Sequence, residues 1–227
     1  ALYARVSTDG RKWGPARRIT RGFFINPPLQ LSNGHLVIGG EHVGDQRTTA
    51  RMRMLVTAEA DGLSGWQEAK VTVDDLKVIG YAEPNMFQRR DGTLVLPLRN
   101  YSGFFYASTS RDQGHSWSTP VKTNFPDSTA RFALGKLPDQ TVYLINNPGP
   151  ERFVRQLLAI STSRDGREFD RSWIIRNEPT KMRYPGKNKL DGWQYPHAIV
   201  WKSFLYVIYS INKEDVAVTR IPLKQFK

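Results

Sequence analysis

Cysteine is absent from the 227 residues, so neither a disulfide framework nor a thiolate site is available to this chain. Long apolar runs are missing too. None approaches the ~18 residues of a membrane helix, which excludes a helical membrane span. Histidine is scarce, and His35, His42, His115 and His197 lack the spacing of metal ligands, so no metal site and no organic cofactor are expected. Acidic residues are outnumbered, 21 against 33 basic ones, for a net charge of +12. Such a field favours an anionic partner. The basic residues are scattered rather than massed in a stripe and no nucleic-acid motif is present, so an acidic small substrate or glycan fits better than nucleic acid. A merely solvated basic surface is the bland alternative. Residues Ala1 to Val6 read as the middle of a strand, not as a charged-then-apolar leader.

What is present is a beat. A short acidic turn recurs at Ser7-Thr8-Asp9-Gly10-Arg11-Lys12-Trp13, in degenerate form at Asp61-Gly62-Leu63-Ser64-Gly65-Trp66, at Ser110-Arg111-Asp112-Gln113-Gly114-His115-Ser116-Trp117, and at Ser163-Arg164-Asp165-Gly166-Arg167-Glu168-Phe169. The four aspartates are spaced by 52, 51 and 53 residues. A period of about fifty residues without helical patterning is the signature of a four-stranded β-propeller blade. In each box the serine and aspartate can hydrogen-bond the turn's own N–H groups, glycine supplies a positive φ, and the closing aromatic fills an apolar gap. The boxes are therefore read as folding devices rather than ligand sites.

Between the boxes lie paired apolar runs with turn residues: Leu29 to Gly39 about Asn33-Gly34, Met86 to Leu98 about Asp91-Gly92, Phe132 to Ile145 about Pro138-Asp139, and Ala198 to Tyr209 about Lys202-Ser203. One strand leads into each box and another leaves it. The expectation is an all-β propeller of four-stranded antiparallel blades, one domain over 1–227, with seventeen strands. Seventeen is not a multiple of four, which points to about four blades from the C-terminal part of a six-bladed ring whose N-terminal strands are missing. Asn177 to Asp191, with Lys181, Arg183, Lys187 and Lys189, reads as one long basic loop at the mouth of the propeller.

The run Glu83-Pro84-Asn85 through the Asp91-Gly92 turn to Leu98-Arg99 resembles the segment of exo-sialidases in which a glutamate precedes an apolar hairpin ending in arginine. Two further stretches agree. Arg155 stands ten residues before the box aspartate Asp165, with Arg152 as a nearby competitor, and Gly192-Trp193-Gln194-Tyr195 is similar to the segment presenting that family's nucleophilic tyrosine. The resemblance spans nearly the whole chain. It implies Tyr195 as nucleophile, Glu83 as its base, and Arg99 and Arg155 as two of three arginines clamping the carboxylate of a sialic acid. Guanidinium forks suit that task, being permanently charged and matched to a planar carboxylate. A phenol suits attack beside a substrate carboxylate better than a second carboxylate does. Arg131 could add a further cationic contact.

Pro196-His197 departs from the sialidase pattern, which continues with a small polar residue and an acid. His197 reads either as a structural histidine or as a modifier of the site's acid–base chemistry. The third arginine and the acid of that family come from an N-terminal blade to which no part of this sequence corresponds. Two other readings stay open: a lyase or hydrolase of uronate-containing polysaccharide using Tyr195 and His197, and a non-catalytic propeller that binds an acidic glycan. Polymeric glycans lie outside cells, which fits secreted or periplasmic action, although the sequence carries no address.

Overall fold

The computed structural model describes residues 1–42, 52–71 and 83–227. These form two compact units, one comprising Ala1–Leu98 with Tyr106–Val121, the other Arg99–Phe105 with Lys122–Lys227. Among the described residues there are nineteen strands and a single short 3-10 helix, Leu223–Phe226.

In the first unit β1 (Leu2–Ala4) pairs antiparallel with β2 (Arg17–Thr20). A four-stranded sheet follows in sequential order: β3 (Leu29–Gln30), β4 (Leu36–Glu41), β5 (Met52–Thr57) and β6 (Gln67–Glu68). After β7 (Lys70–Val71) come β8 (Phe87–Gln88), β9 (Leu94–Leu98) and β10 (Phe104–Ser110), where Phe87 faces Val95 and Ser108 faces Leu96. The short strand β11 (Ser116–Trp117) lies parallel to β7. Alternation explains the core. Val37, Met54, Val56, Leu94, Leu96 and Leu98 recur at every second position and pack together with Trp117.

The second unit takes up β12 (Val121–Pro126) from Lys122 onward, with Thr123 Oγ1 donating to Phe105 O at 2.8 Å. A sequential antiparallel sheet follows, β13 (Ala133–Lys136), β14 (Val142–Asn146), β15 (Leu158–Ser163) and β16 (Arg171–Arg176). The last sheet has three strands, β17 (Trp193–Trp201), β18 (Phe204–Ile211) and β19 (Asp215–Pro222). Tyr143, Ile145, Leu158, Ile160, Leu205, Val207 and Tyr209 form the core between these two sheets. Each aliphatic member is worth about 2–5 kcal/mol against truncation to alanine. The seventeen expected strands are found among the described residues; the two extra, β7 and β11, are two-residue segments that pair parallel with each other outside the four-stranded sheets.

The box loops behave as their chemistry requires. Ser110 Oγ donates to Asp112 Oδ1 at 2.8 Å, Gly114 N to Ser110 Oγ at 2.9 Å, and Ser116 N to Asp112 Oδ1 at 2.9 Å. The box at Asp165 repeats the pattern, with Gly166 N on Ser163 Oγ at 2.9 Å and Arg167 N on Asp165 Oδ1 at 2.7 Å. Trp117 is buried and Phe169 packs edge-on against Phe125 at 5.4 Å. Trp13 departs from the expected plug, being 59% exposed, because its sheet is only the pair β1–β2, no side chain of which is buried.

Burial pushes the Asp112 carboxyl up, but donation from Ser116 and Ser110 outweighs it and holds the group below its ordinary 3.8. A carboxylate depressed in the folded state stabilises above its unfolded pKa, and that contribution is lost as pH falls through the folded value. Asp112→Ala should lower stability by about 1–2 kcal/mol at neutral pH after solvent screening, and by less in acid. Urea unfolding at the two pH values measures the difference.

One irregularity in β17 prepares the site. Gln194 pairs with Ser210 and His197 with Ile208, so Tyr195 and Pro196 together oppose Tyr209. This β-bulge puts Tyr195 at φ +54°, in the left-handed region, with Pro196 next in line and unable to donate to the ladder.

Candidate active site

Arg155 lies just before β15, buried to 6% exposure, and its main chain is stitched to the entry of β17. Trp193 N donates to Arg155 O at 2.7 Å, within a single parallel bridge between Arg155 and Gly192. Buried Asn147 braces the same place, its Nδ2 donating to Leu157 O at 2.8 Å and Trp193 O at 2.9 Å. The guanidinium donates through one Nη to Gln194 Oε1 at 2.5 Å, Gln194 in turn donating to Leu190 O. Gln194 is fully buried, so this polar chain is rigid. Arg155 Nε, also buried, makes no hydrogen bond.

Arg155 Cζ stands 5.3 Å from the centroid of the half-buried Tyr195 ring, and Lys213 Nζ stands 4.7 Å from it. Burial alone would push the Tyr195 phenol up. The hydrogen bond from Lys213 and the charges of Arg155 and Lys213 outweigh burial and hold it below its ordinary 10. Two cations beside a phenol favour its ionised form. Tyr143, buried without a cation, goes the other way and is pushed up to about 12.

Arg99 follows β9 and is 8% exposed; Arg131 precedes β13 and is partly buried. Between them in the chain runs the wholly buried segment Asp127–Ala130. Asp127 is 1% exposed and accepts from Thr129 N at 3.1 Å and from Asn146 Nδ2 at 3.4 Å. Burial raises its carboxyl to about 7, opposed by these bonds and by the charges of Arg99 and Arg155. The second unit thus gathers Arg99, Arg155, Asp127, Tyr195 and Lys213 in one electrostatic neighbourhood.

Of the residues named from sequence, Arg155 and Tyr195 meet directly. Arg152, the competitor for Arg155's place, is exposed and lies against Tyr101, 5.0 Å from its ring centroid, with Nε on Tyr101 O at 2.8 Å. Glu83 belongs to the first unit, where its φ is +41° and its N–H donates to buried Glu41 Oε1 at 2.7 Å. His197 is exposed, on a hollow lined by Ile199, Trp201, Ile208 and Val218, and is not among the groups around Tyr195.

Asp127 and Lys213 escaped the sequence reading. Pro-Asp-Ser-Thr looks like any polar turn, and only a lysine where a tight hairpin favours Asn-Gly marks Lys213. The basic loop 177–191 is pinned by Glu214, which accepts from Arg183 N, Tyr184 N and Lys189 Nζ. Those bonds, that of Lys189 foremost, pull the Glu214 carboxyl down to about 2. No group of three His, Asp or Glu among the described residues could hold a metal ion.

Sequential antiparallel sheets carrying an acidic turn between their last strands at a fifty-residue beat define a β-propeller of four-stranded blades. Residues 1–207 match the BNR repeat-like domain family, and the chain belongs to it. No curated protein sequence matches it. Among solved structures it is similar to the leech intramolecular trans-sialidase complexed with 2,7-anhydro-Neu5Ac, with TM-score 0.71 and 15% identity over 98% of this chain and 36% of that one. The intramolecular trans-sialidase of Ruminococcus gnavus, in complex with oseltamivir carboxylate, gives 0.66 and 15% over 99% and 51%. A protein of unknown function from Dyadobacter fermentans gives 0.66 and 17% over 95% and 62%. The likeness is one of fold, and the chain spans less than two thirds of the length of each of these structures.

Proposed function

We propose that this chain carries part of the active site of a retaining exo-glycosidase that releases a terminal sialic acid, or a related acidic sugar, from glycans. The observation that carries the reading is Tyr195 between Arg155 and Lys213, its phenol drawn toward the anion in a half-buried site. Arg155, with an unused buried N–H, and Arg99 receive the sugar carboxylate, and Arg131 adds positive charge at the start of β13.

In the first step the Tyr195 oxygen bonds to the anomeric carbon as the glycosidic carbon–oxygen bond breaks. The phenol proton goes to a base, the role that the sialidase resemblance gives Glu83. The leaving oxygen takes a proton from an acid outside this residue set. Water then attacks the anomeric carbon and breaks the aryl glycoside bond, its proton going to the acid while the base returns the phenol proton to Tyr195. The similarity in fold to two intramolecular trans-sialidases supports the substrate class.

The test is turnover of a methylumbelliferyl α-sialoside by the protein containing this chain. Turnover is expected and is lost in Tyr195→Phe, while binding of a free sialic acid persists. A protein inert on every sialoside, yet releasing an unsaturated uronate that absorbs in the ultraviolet, would transfer the site to a polysaccharide lyase. Binding without turnover would make it a lectin.

A further inference from the structure

Lys213 has no counterpart in the set that the sialidase resemblance supplies, yet its ammonium lies nearer the Tyr195 ring than the Arg155 guanidinium does, 4.7 Å against 5.3 Å. Its position is built, not incidental. Asn212 and Lys213 are both left-handed, at φ +56° and +58°, and Glu214 N donates to Ile211 O at 2.8 Å, closing a tight turn between β18 and β19. A left-handed lysine is unfavourable and persists only where its surroundings hold it.

Those surroundings are visible. Asn212, 4% exposed, donates its N–H to Gly192 O at 2.9 Å, while its Oδ1 accepts from Gly192 N at 2.8 Å and from Thr180 Oγ1 at 2.7 Å. Gly192 stands three residues before Tyr195, so the lysine's turn and the tyrosine's bulge are fastened to each other. On the other side Glu214 is occupied by Arg183 and Lys189. Lys213 makes no ion pair with an acid among the described residues, and its charge is directed at the phenol.

We propose that Lys213 is a positioning residue for Tyr195, an additional cation of the site whose charge, held against the ring, keeps the phenol in the attacking orientation. The inference deepens the glycosidase reading and rests on it for the reaction, though not for the contact itself. Lys213 keeps its proton throughout; the phenol proton goes to the base, and the ammonium stabilises the oxygen anion that remains. The charged groups facing Tyr195 in its unit are Arg155, from the segment before β15, and Lys213, from the β18–β19 turn.

The test isolates one phenol among nine tyrosines by ultraviolet difference titration of the wild-type protein against Tyr195→Phe. In wild type, Tyr195 ionises below 10. Lys213→Met is expected to move that ionisation up by about one pH unit, a tenfold change, and Lys213→Arg to restore most of it. Sialoside hydrolysis should slow in the same variant, with kcat reduced more than KM is raised. Lys213→Gln, with its unfolding midpoint recorded, serves where the methionine variant does not fold. An unmoved Tyr195 titration in a folded Lys213 variant overturns the proposal and leaves the glycosidase reading standing. A moved titration in a protein that hydrolyses no sialoside does the reverse: the Lys213 contact holds and the reaction is lost.

Discussion

Gly192→Ala is expected to destabilise the protein by about 3–5 kcal/mol and to lower its apparent Tm by about 10 °C. Two independent effects converge. The backbone at 192 has φ +119°, a conformation that L side chains rarely adopt, and a Cβ there would stand 2.1 Å from Arg155 O and 2.3 Å from the carbonyl carbon. Both atoms belong to backbone held by the bond from Trp193 N, so they cannot step aside as a flexible side chain would. Relief requires parting the Arg155–Gly192 bridge, which also carries Arg155 away from Gln194 and Tyr195. Ligand binding should therefore fall along with stability. Gly34→Ala is the control: φ is +88° but nothing lies within 4 Å of its Cβ, so only the conformational penalty of about 1 kcal/mol remains. Differential scanning calorimetry separates the two, and equal losses would remove the close approach from the explanation.

Asp127→Asn is expected to abolish a large part of the pH dependence of stability between about pH 4 and 7.5. Burial raises the Asp127 carboxyl from 3.8 to about 7 in the folded protein. Over that interval the native state holds a proton that the unfolded state has released. The stabilisation is complete below 3.8 and is lost as pH rises through about 7. A shift of that size corresponds to about 4 kcal/mol. The asparagine variant, uncharged throughout, should equal wild type in acid and exceed it at about pH 8. Comparing variant with wild type by urea titration at each pH cancels the histidines, which titrate in both. A difference that stays constant with pH would place the ordinary carboxylate at 127. Under the proposed function this has a corollary: with the Asp127 carboxyl raised to about 7 by burial, its protonation in acid would leave Arg99 and Arg155 to a substrate carboxylate without a competing anion.

The repeat and its blades were legible because the boxes have a chemical reason that survives in one dimension: a carboxylate, two residues after a serine in three of the four, a glycine, and an aromatic. Strand pairing followed from alternation and from Asn33-Gly34 and Asp91-Gly92. Arg155 and Tyr195 were legible only through family resemblance, since an arginine before a strand and a tyrosine within one have no local signature. Lys213 was hidden because it approaches Tyr195 through the hydrogen bonds of Asn212 to Gly192, a contact spanning twenty residues that no periodicity encodes. Asp127 was hidden for another reason. Burial changes its chemistry, and burial of a loop segment is a property of packing rather than of the four letters around it. His197 was read from its neighbour in sequence, and the bulge at Tyr195 and Pro196 breaks the alternation that such a reading assumes.

Because Tyr195 sits in that bulge, its side chain carries little of the sheet's cohesion, which rests on Trp193, Val207 and Tyr209 beneath. Reactivity and architecture are thus assigned to different atoms. Under the proposed glycosidase reading, a single exchange at 195 silences the chemistry while the scaffold and its arginines survive, which leaves such a hydrolase one codon from a sugar-binding module.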